Sequence, residues 1–199
     1  MYLNGPLIYR PKFRVVDLTQ QVRILQQAPP TEVYVRIVCS LLCLFSNLDL
    51  ALWRTYPPNT NYGLLSSHAK APILDLQWSL SSSLLYSVSA DRTLCITDVT
   101  TGQRIRKIRA HREIINSLDR TMATASGIEL LATGSDDGTV KIWEGGDEAG
   151  KQPVTTFDVG CPVTSVCWGL DGNSVYLGAI DNEIHVCISL SQIFLFMQF

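Results

Sequence analysis

The chain has 199 residues, of which 46% are hydrophobic and 17% charged, with a net charge of −2. This composition fits one sizeable globular domain or two small ones and excludes a disordered tail. It also excludes a protein that coats nucleic acid by electrostatics alone, so any RNA contact is expected to be local or indirect.

The opening segment, MYLNGPLIYRPKFRVVDL, lacks the basic start and apolar block of a secretory signal. The apolar run 37–48 is short and contains Ser40, Ser46 and Asn47, well under the roughly 20 residues a membrane helix needs. A soluble chain is expected, with a membrane-associated protein built on that run as an alternative. Residues 1–49 fit no later pattern and are set apart as an atypical N-terminal segment.

From residue 50 a rhythm begins. Asp91 in YSVSADRTLCITD, Asp137 in LATGSDDGTVKIWE and Asp181 in YLGAIDNEIHVCI stand 46 and 44 residues apart. Thr97, Trp143 and Cys187 each follow their acid by six residues, and Trp53 precedes Thr97 by 44. A second marker, a small residue followed by histidine, occurs at His68 and again 43 residues on at His111. Between markers, short alternating apolar runs are separated by polar turns, which predicts about four short strands per unit of roughly 44 residues. The spacing predicts an all-β chain over 50–187, with small sheets in series.

The acidic turns have a structural purpose. A tight reversal such as Asp137-Gly138 needs positive φ, which Asp, Asn and Gly tolerate. Its carboxylate can then meet the histidine that precedes the same sheet, and that ring can reach a strand hydroxyl and the tryptophan N–H. The expected network is His111, Thr133 or Ser135, Asp137 and Trp143 in the second repeat. In the first it is His68, Ser87 or Ser89, and Asp91, with Thr97 in place of the indole. The third repeat offers Asp181 and no evident histidine.

These motifs resemble the WD-repeat (WD40) family, with Thr97-Asp98 and Trp143-Glu144 as degenerate forms of its name-giving dipeptide. The resemblance implies a partial WD40 β-propeller of about three four-stranded blades plus one strand of a preceding blade. It is narrowest, from about Leu50 to Val186, to WD-repeat subunits of the splicing machinery. That implies a nuclear, non-catalytic scaffold holding a large spliceosomal scaffold protein and other splicing-particle proteins, with no cofactor, metal or small-molecule substrate. A WD-repeat adaptor of another complex, such as a ubiquitin ligase, is the alternative within the family. Closed propellers have four or more blades, so three repeats predict an open arc with exposed apolar patches and weak solubility. The tail 188–199 is apolar where a blade would end polar; translated intron or a shifted exon boundary would account for both it and 1–49.

Other constellations receive structural readings. Arg104, Arg106, Lys107, Arg109 and Arg112 form a candidate contact patch for RNA or an acidic partner, or the solvated face of an outer strand whose buried contacts are Ile105 and Ile108. Among the cysteines (39, 43, 95, 161, 167 and 187) only Cys39 and Cys43 have the spacing of a zinc-ligand pair and no second pair completes it, so they read as small apolar side chains with reduced thiols. His68 and His111 each precede Ser and Asp, but there is neither a Gly-x-Ser-x-Gly elbow nor a phosphate loop, so no catalytic residue is assigned.

Overall fold

In the computed structural model the described residues are 26–27, 33–38, 49–54, 61–68, 71–123, 127–147, 150–190 and 193–198. They form sixteen strands and no helix. The first sheet holds β1 (Gln26–Gln27), β2 (Val33–Val38), β3 (Asp49–Arg54) and β4 (Asn61–Leu65). The second holds β5 (Ile73–Trp78), β6 (Leu84–Ser89), β7 (Thr93–Asp98) and β8 (Arg104–Arg109). The third runs through β9 (Ile115–Met122), β10 (Glu129–Ser135), β11 (Thr139–Glu144) and β12 (Thr155–Asp158). The fourth is β13 (Val163–Trp168), β14 (Ser174–Ala179), β15 (Ile184–Leu190) and β16 (Ile193–Gln198).

Every sheet is an antiparallel meander in chain order. This is a partial β-propeller, and it differs from the sequence reading at its start. Where one strand of a preceding blade was expected, four strands pair, because the β-branched alternation of Val33–Val38 lies against Asp49–Arg54 in register. No acidic turn or histidine marks that hairpin in the sequence. At the other end, Ile193–Gln198 pairs with Ile184–Leu190 and supplies the fourth strand of its sheet.

Apolar residues collect between the sheets. Leu50, Leu52 and Leu65 of the first sheet pack on Ile73, Leu76, Trp78 and Leu85 of the second. Leu84, Tyr86, Val88 and Ile96 face the other way, against Ile115, Leu118, Leu131 and Trp143 of the third. Ala132, Val140, Ile142 and Phe157 then meet Val163, Val166, Trp168, Val175 and Leu177 of the fourth. A strand covered on both faces needs apolar character at successive positions, and β6 is buried along its whole length. The fourth sheet has one such face only: Tyr86 is 0% exposed, whereas Tyr176, its repeat counterpart, is 46% exposed.

Side chains of the innermost strands also clip the sheets together. The Leu118 N–H donates to Asp75 Oδ2 at 2.8 Å, and the Val166 N–H donates to Ser117 Oγ at 2.9 Å. Asp75 and Ser117 occupy the same position of successive β-bulges, as do Leu118 and Val166. A further bond runs from the Trp168 N–H to Asp119 Oδ2 at 2.7 Å.

Candidate functional site

The acidic turns carry one left-handed residue each, directly after the acid: Arg92 (φ 69), Gly138 (φ 79) and Asn182 (φ 66). The expected two-residue positive-φ reversal is instead a three-residue turn, closed by Gly138 N–H on the Ser135 carbonyl at 3.2 Å and by Arg92 N–H on Ser89 at 3.1 Å. Within it one carboxylate oxygen accepts the N–H two residues on, at 3.0 Å from Thr93, Thr139 and Glu183 alike. That bond aims the carboxylate into the sheet end.

In the third sheet the structure brings together His111, Thr133, Asp137 and Trp143. The Trp143 Nε1–H donates to Thr133 Oγ1 at 2.9 Å, and that hydroxyl lies 2.8 Å from His111 Nε2. An ionised carboxylate only accepts, so Asp137 draws the ring hydrogen to Nδ1 and leaves the Nε2 lone pair to accept from the Thr133 hydroxyl. Nδ1–H then faces Asp137, at 3.1 Å from Oδ2. Ser135 is not part of this chain; its Oγ accepts the Asp137 N–H at 3.2 Å. Burial pushes the His111 pKa down to about 4, against the opposing pull of Asp137. Burial also acts to raise the Asp137 carboxyl, but hydrogen bonds from Thr139 and from the Arg112 N–H outweigh it and bring the carboxyl to about 2. A neutral imidazole therefore donates to an ionised carboxylate.

The second sheet repeats the arrangement with a gap. His68 Nε2 lies 2.9 Å from Ser87 Oγ, and Nδ1 lies 3.2 Å from Asp91 Oδ1. Thr97 stands apart, 3.0 Å from Ser67 Oγ. Ser89 donates to the Pro72 carbonyl instead of to the ring. Thr93 and Thr139, which touch the histidine Nδ1 at 3.0 and 3.1 Å, escaped the sequence reading, although an Asp-x-Thr pattern at both turns marks them. In the fourth sheet Asp181 does have a histidine: His185 Nε2 lies 2.8 Å from Asp181 Oδ2. It went unnoticed because it lies on the strand after the acid, not in the loop before the sheet.

The basic segment divides. The Lys107 ammonium pairs with Asp91 Oδ2 at 2.8 Å, and the Arg104 guanidinium donates to the Ser67 carbonyl at 3.0 Å. Arg106 donates to the Asp147 carbonyl at 3.3 Å. Arg109 and Arg112 line an open cavity of about 490 Å³ together with Arg92, Ala110, His111 and Lys141. Ile108 is buried as expected, but Ile105 is 42% exposed. The reason is a bulge: Arg104 and Arg106 oppose the adjacent Thr97 and Ile96, leaving Ile105 without a partner and turned outward. Among the cysteines, Cys95 and Cys187 are buried, while Cys161 is half-buried and Cys167 exposed, contrary to the uniform apolar reading. Cys39, Cys43 and most of the run 37–48 lie outside the described residues. Among the described residues no helix is long and apolar enough to cross a membrane.

The repeat profile described as "WD domain, G-beta repeat" matches residues 59–98 and 102–144. The chain carries WD40 repeats. It is 36% identical over 138 residues to "Pre-mRNA-splicing factor cwf17" of Schizosaccharomyces pombe, covering 69% of this chain and 38% of that protein. It is 34% identical over 141 residues to "U5 small nuclear ribonucleoprotein 40 kDa protein" of Dictyostelium discoideum, covering 71% and 38%. A shorter match, 33% over 86 residues, is to "COMPASS component SWD3" of Saccharomyces cerevisiae and covers 42% of this chain and 26% of that protein. The matched region thus spans about 38% of the length of the two splicing relatives.

Proposed function

We propose that this WD40 chain is a non-catalytic scaffold of pre-mRNA splicing, acting in the nucleus as a component of the U5 small nuclear ribonucleoprotein. The observation that carries this is the similarity to two splicing proteins across some 70% of the chain. The chemistry of two sheet ends supports it: the His111–Asp137 and His68–Asp91 pairs are engaged in framework networks, so these groups serve to satisfy buried polar atoms. Function then rests on rigid sheet ends and edges presented to large proteins, and Arg109 and Arg112 are the basic side chains best placed at that rim for an acidic partner.

The match to a subunit of a different assembly favours one second reading, an adaptor of another complex such as a ubiquitin ligase, because the WD framework is shared among assemblies. Affinity purification of the tagged full-length gene product from nuclear extract separates the two. Recovery of the large U5 scaffold protein and U5 RNA is the expected result. Ligase or chromatin-complex subunits in their place overturn it. In the same experiment, Arg109→Glu/Arg112→Glu is expected to lower recovery at low salt and to make it less dependent on salt.

A further inference from the structure

The fourth sheet ends differently from the second and third. Where they place His68 and His111 ahead of the sheet, the fourth has Cys161. Where they place the hydroxyls of Ser87 and Thr133, opposite Cys95 and Lys141, it has Leu177, opposite His185. Where they place Thr93 and Thr139, two residues after the acid, it has Glu183. Every hydroxyl that bonds the histidine ring in the other sheets is gone. A thiol, a carboxylate and an imidazole take their place: Cys161 Sγ lies 3.3 Å and His185 Nε2 lies 2.8 Å from the same oxygen, Asp181 Oδ2.

We propose that Cys161, Asp181 and His185 bind a single Zn²⁺ ion, with a fourth position open to water. One sulfur, one nitrogen and one oxygen donor suit this borderline-soft ion better than Mg²⁺ or Ca²⁺, which take oxygen alone. The donor atoms all fall within 4.8 Å of one another. A tetrahedral Zn²⁺ spreads such donors about 3.3–3.8 Å apart, so small side-chain rotations admit the ion. The buried His185 ring is anchored inside the sheet, while the half-buried Cys161 and exposed Asp181 leave the site open to solvent. Burial and the Asp181 carboxylate hold the Cys161 thiol above its ordinary range, with a smaller push from the Glu183 carboxylate. On binding, the Cys161 S–H bond breaks and its proton passes to solvent, while the hydrogen that His185 Nε2 donates to Asp181 moves to Nδ1 by exchange with solvent; the freed sulfur and Nε2 electron pairs form the Zn–S and Zn–N bonds.

Cobalt(II) tests this on the full chain. The expected result is one equivalent of Co²⁺ giving a near-ultraviolet thiolate-to-cobalt band with the visible bands of a tetrahedral site, both abolished by stoichiometric Zn²⁺. Cys161→Ser should remove the thiolate band while Cys167→Ser and Cys43→Ser keep it, and Asp181→Asn should weaken Zn²⁺ by about tenfold or more in a chelator competition. If Cys161→Ser loses its β-sheet circular-dichroism signal, Asp181→Asn, whose amide oxygen can still accept the turn N–H, carries the test alone. Absence of the band in the unaltered chain, its survival in folded Cys161→Ser, or Zn²⁺ affinity unchanged in Asp181→Asn overturns the proposal.

Discussion

Thr133 is the hinge of the third sheet's network, since its single hydroxyl both accepts the Trp143 N–H and serves His111 Nε2. Thr133→Val keeps the shape and leaves two buried polar atoms unmatched, so a loss of about 2–4 kcal/mol is expected in urea unfolding. Ser135→Ala, outside the chain, should cost clearly less. The His111 ring makes a pH-dependent contribution. Its folded pKa of about 4 lies below the ordinary 6.5, so the neutral ring favours the fold fully above pH 6.5 and that contribution is lost as pH falls toward 4. It amounts to something on the order of 3 kcal/mol. Asp75 acts in the opposite sense, since burial raises its carboxyl to about 7 and ionisation costs the fold as pH rises from 3.8. The stability difference between the parent chain and His111→Gln isolates the first effect and should shrink across pH 6.5 to 4. At this scale the sequence shows the histidine, the acid and the indole of the third sheet, because their positions fall on a period of about 44 residues even where another residue fills them. It conceals His185, since a residue shifted from loop to strand breaks the interval while keeping the contact.

Turns and strands follow the same logic one level up. Arg92 holds φ 69, a region where a Cβ is costly, whereas Gly138 fills the equivalent place freely. Arg92→Gly is therefore expected to stabilise the chain by about 0.5–1 kcal/mol, read as a higher urea midpoint; the exposed Arg92–Glu113 pair it removes, at 3.4 Å, is worth little. Between sheets, Ser117→Ala strips the acceptor from the buried Val166 N–H and should cost about 1–3 kcal/mol. Alternation and turn residues make most strands legible over 61–190. The hairpin of Val33–Val38 with Asp49–Arg54 was not, because its pairing depends on a partner strand and on no local marker. The bulge at Ile105 escaped for a related reason: only the register against Ile96 and Thr97 turns that side chain outward.

Across the whole molecule, the faces between sheets are filled, while one face of the fourth sheet lies open to solvent. Tyr176 and Ile184 share that face, the latter 61% exposed, and Ser165 and Cys167 flank them on the neighbouring strand. An apolar sheet face of this kind promotes self-association. Tyr176→Ser/Ile184→Ser is expected to reduce binding of a hydrophobic dye and shift light scattering toward the monomer; unchanged scattering would refute this. Three of the bonds between the second, third and fourth sheets share a direction: the accepting side chain comes earlier in the chain than the strand it holds, by 43 residues for Asp75 and 49 for both Ser117 and Asp119. During synthesis, the third and fourth sheets therefore meet these anchors already made, on strands translated before them.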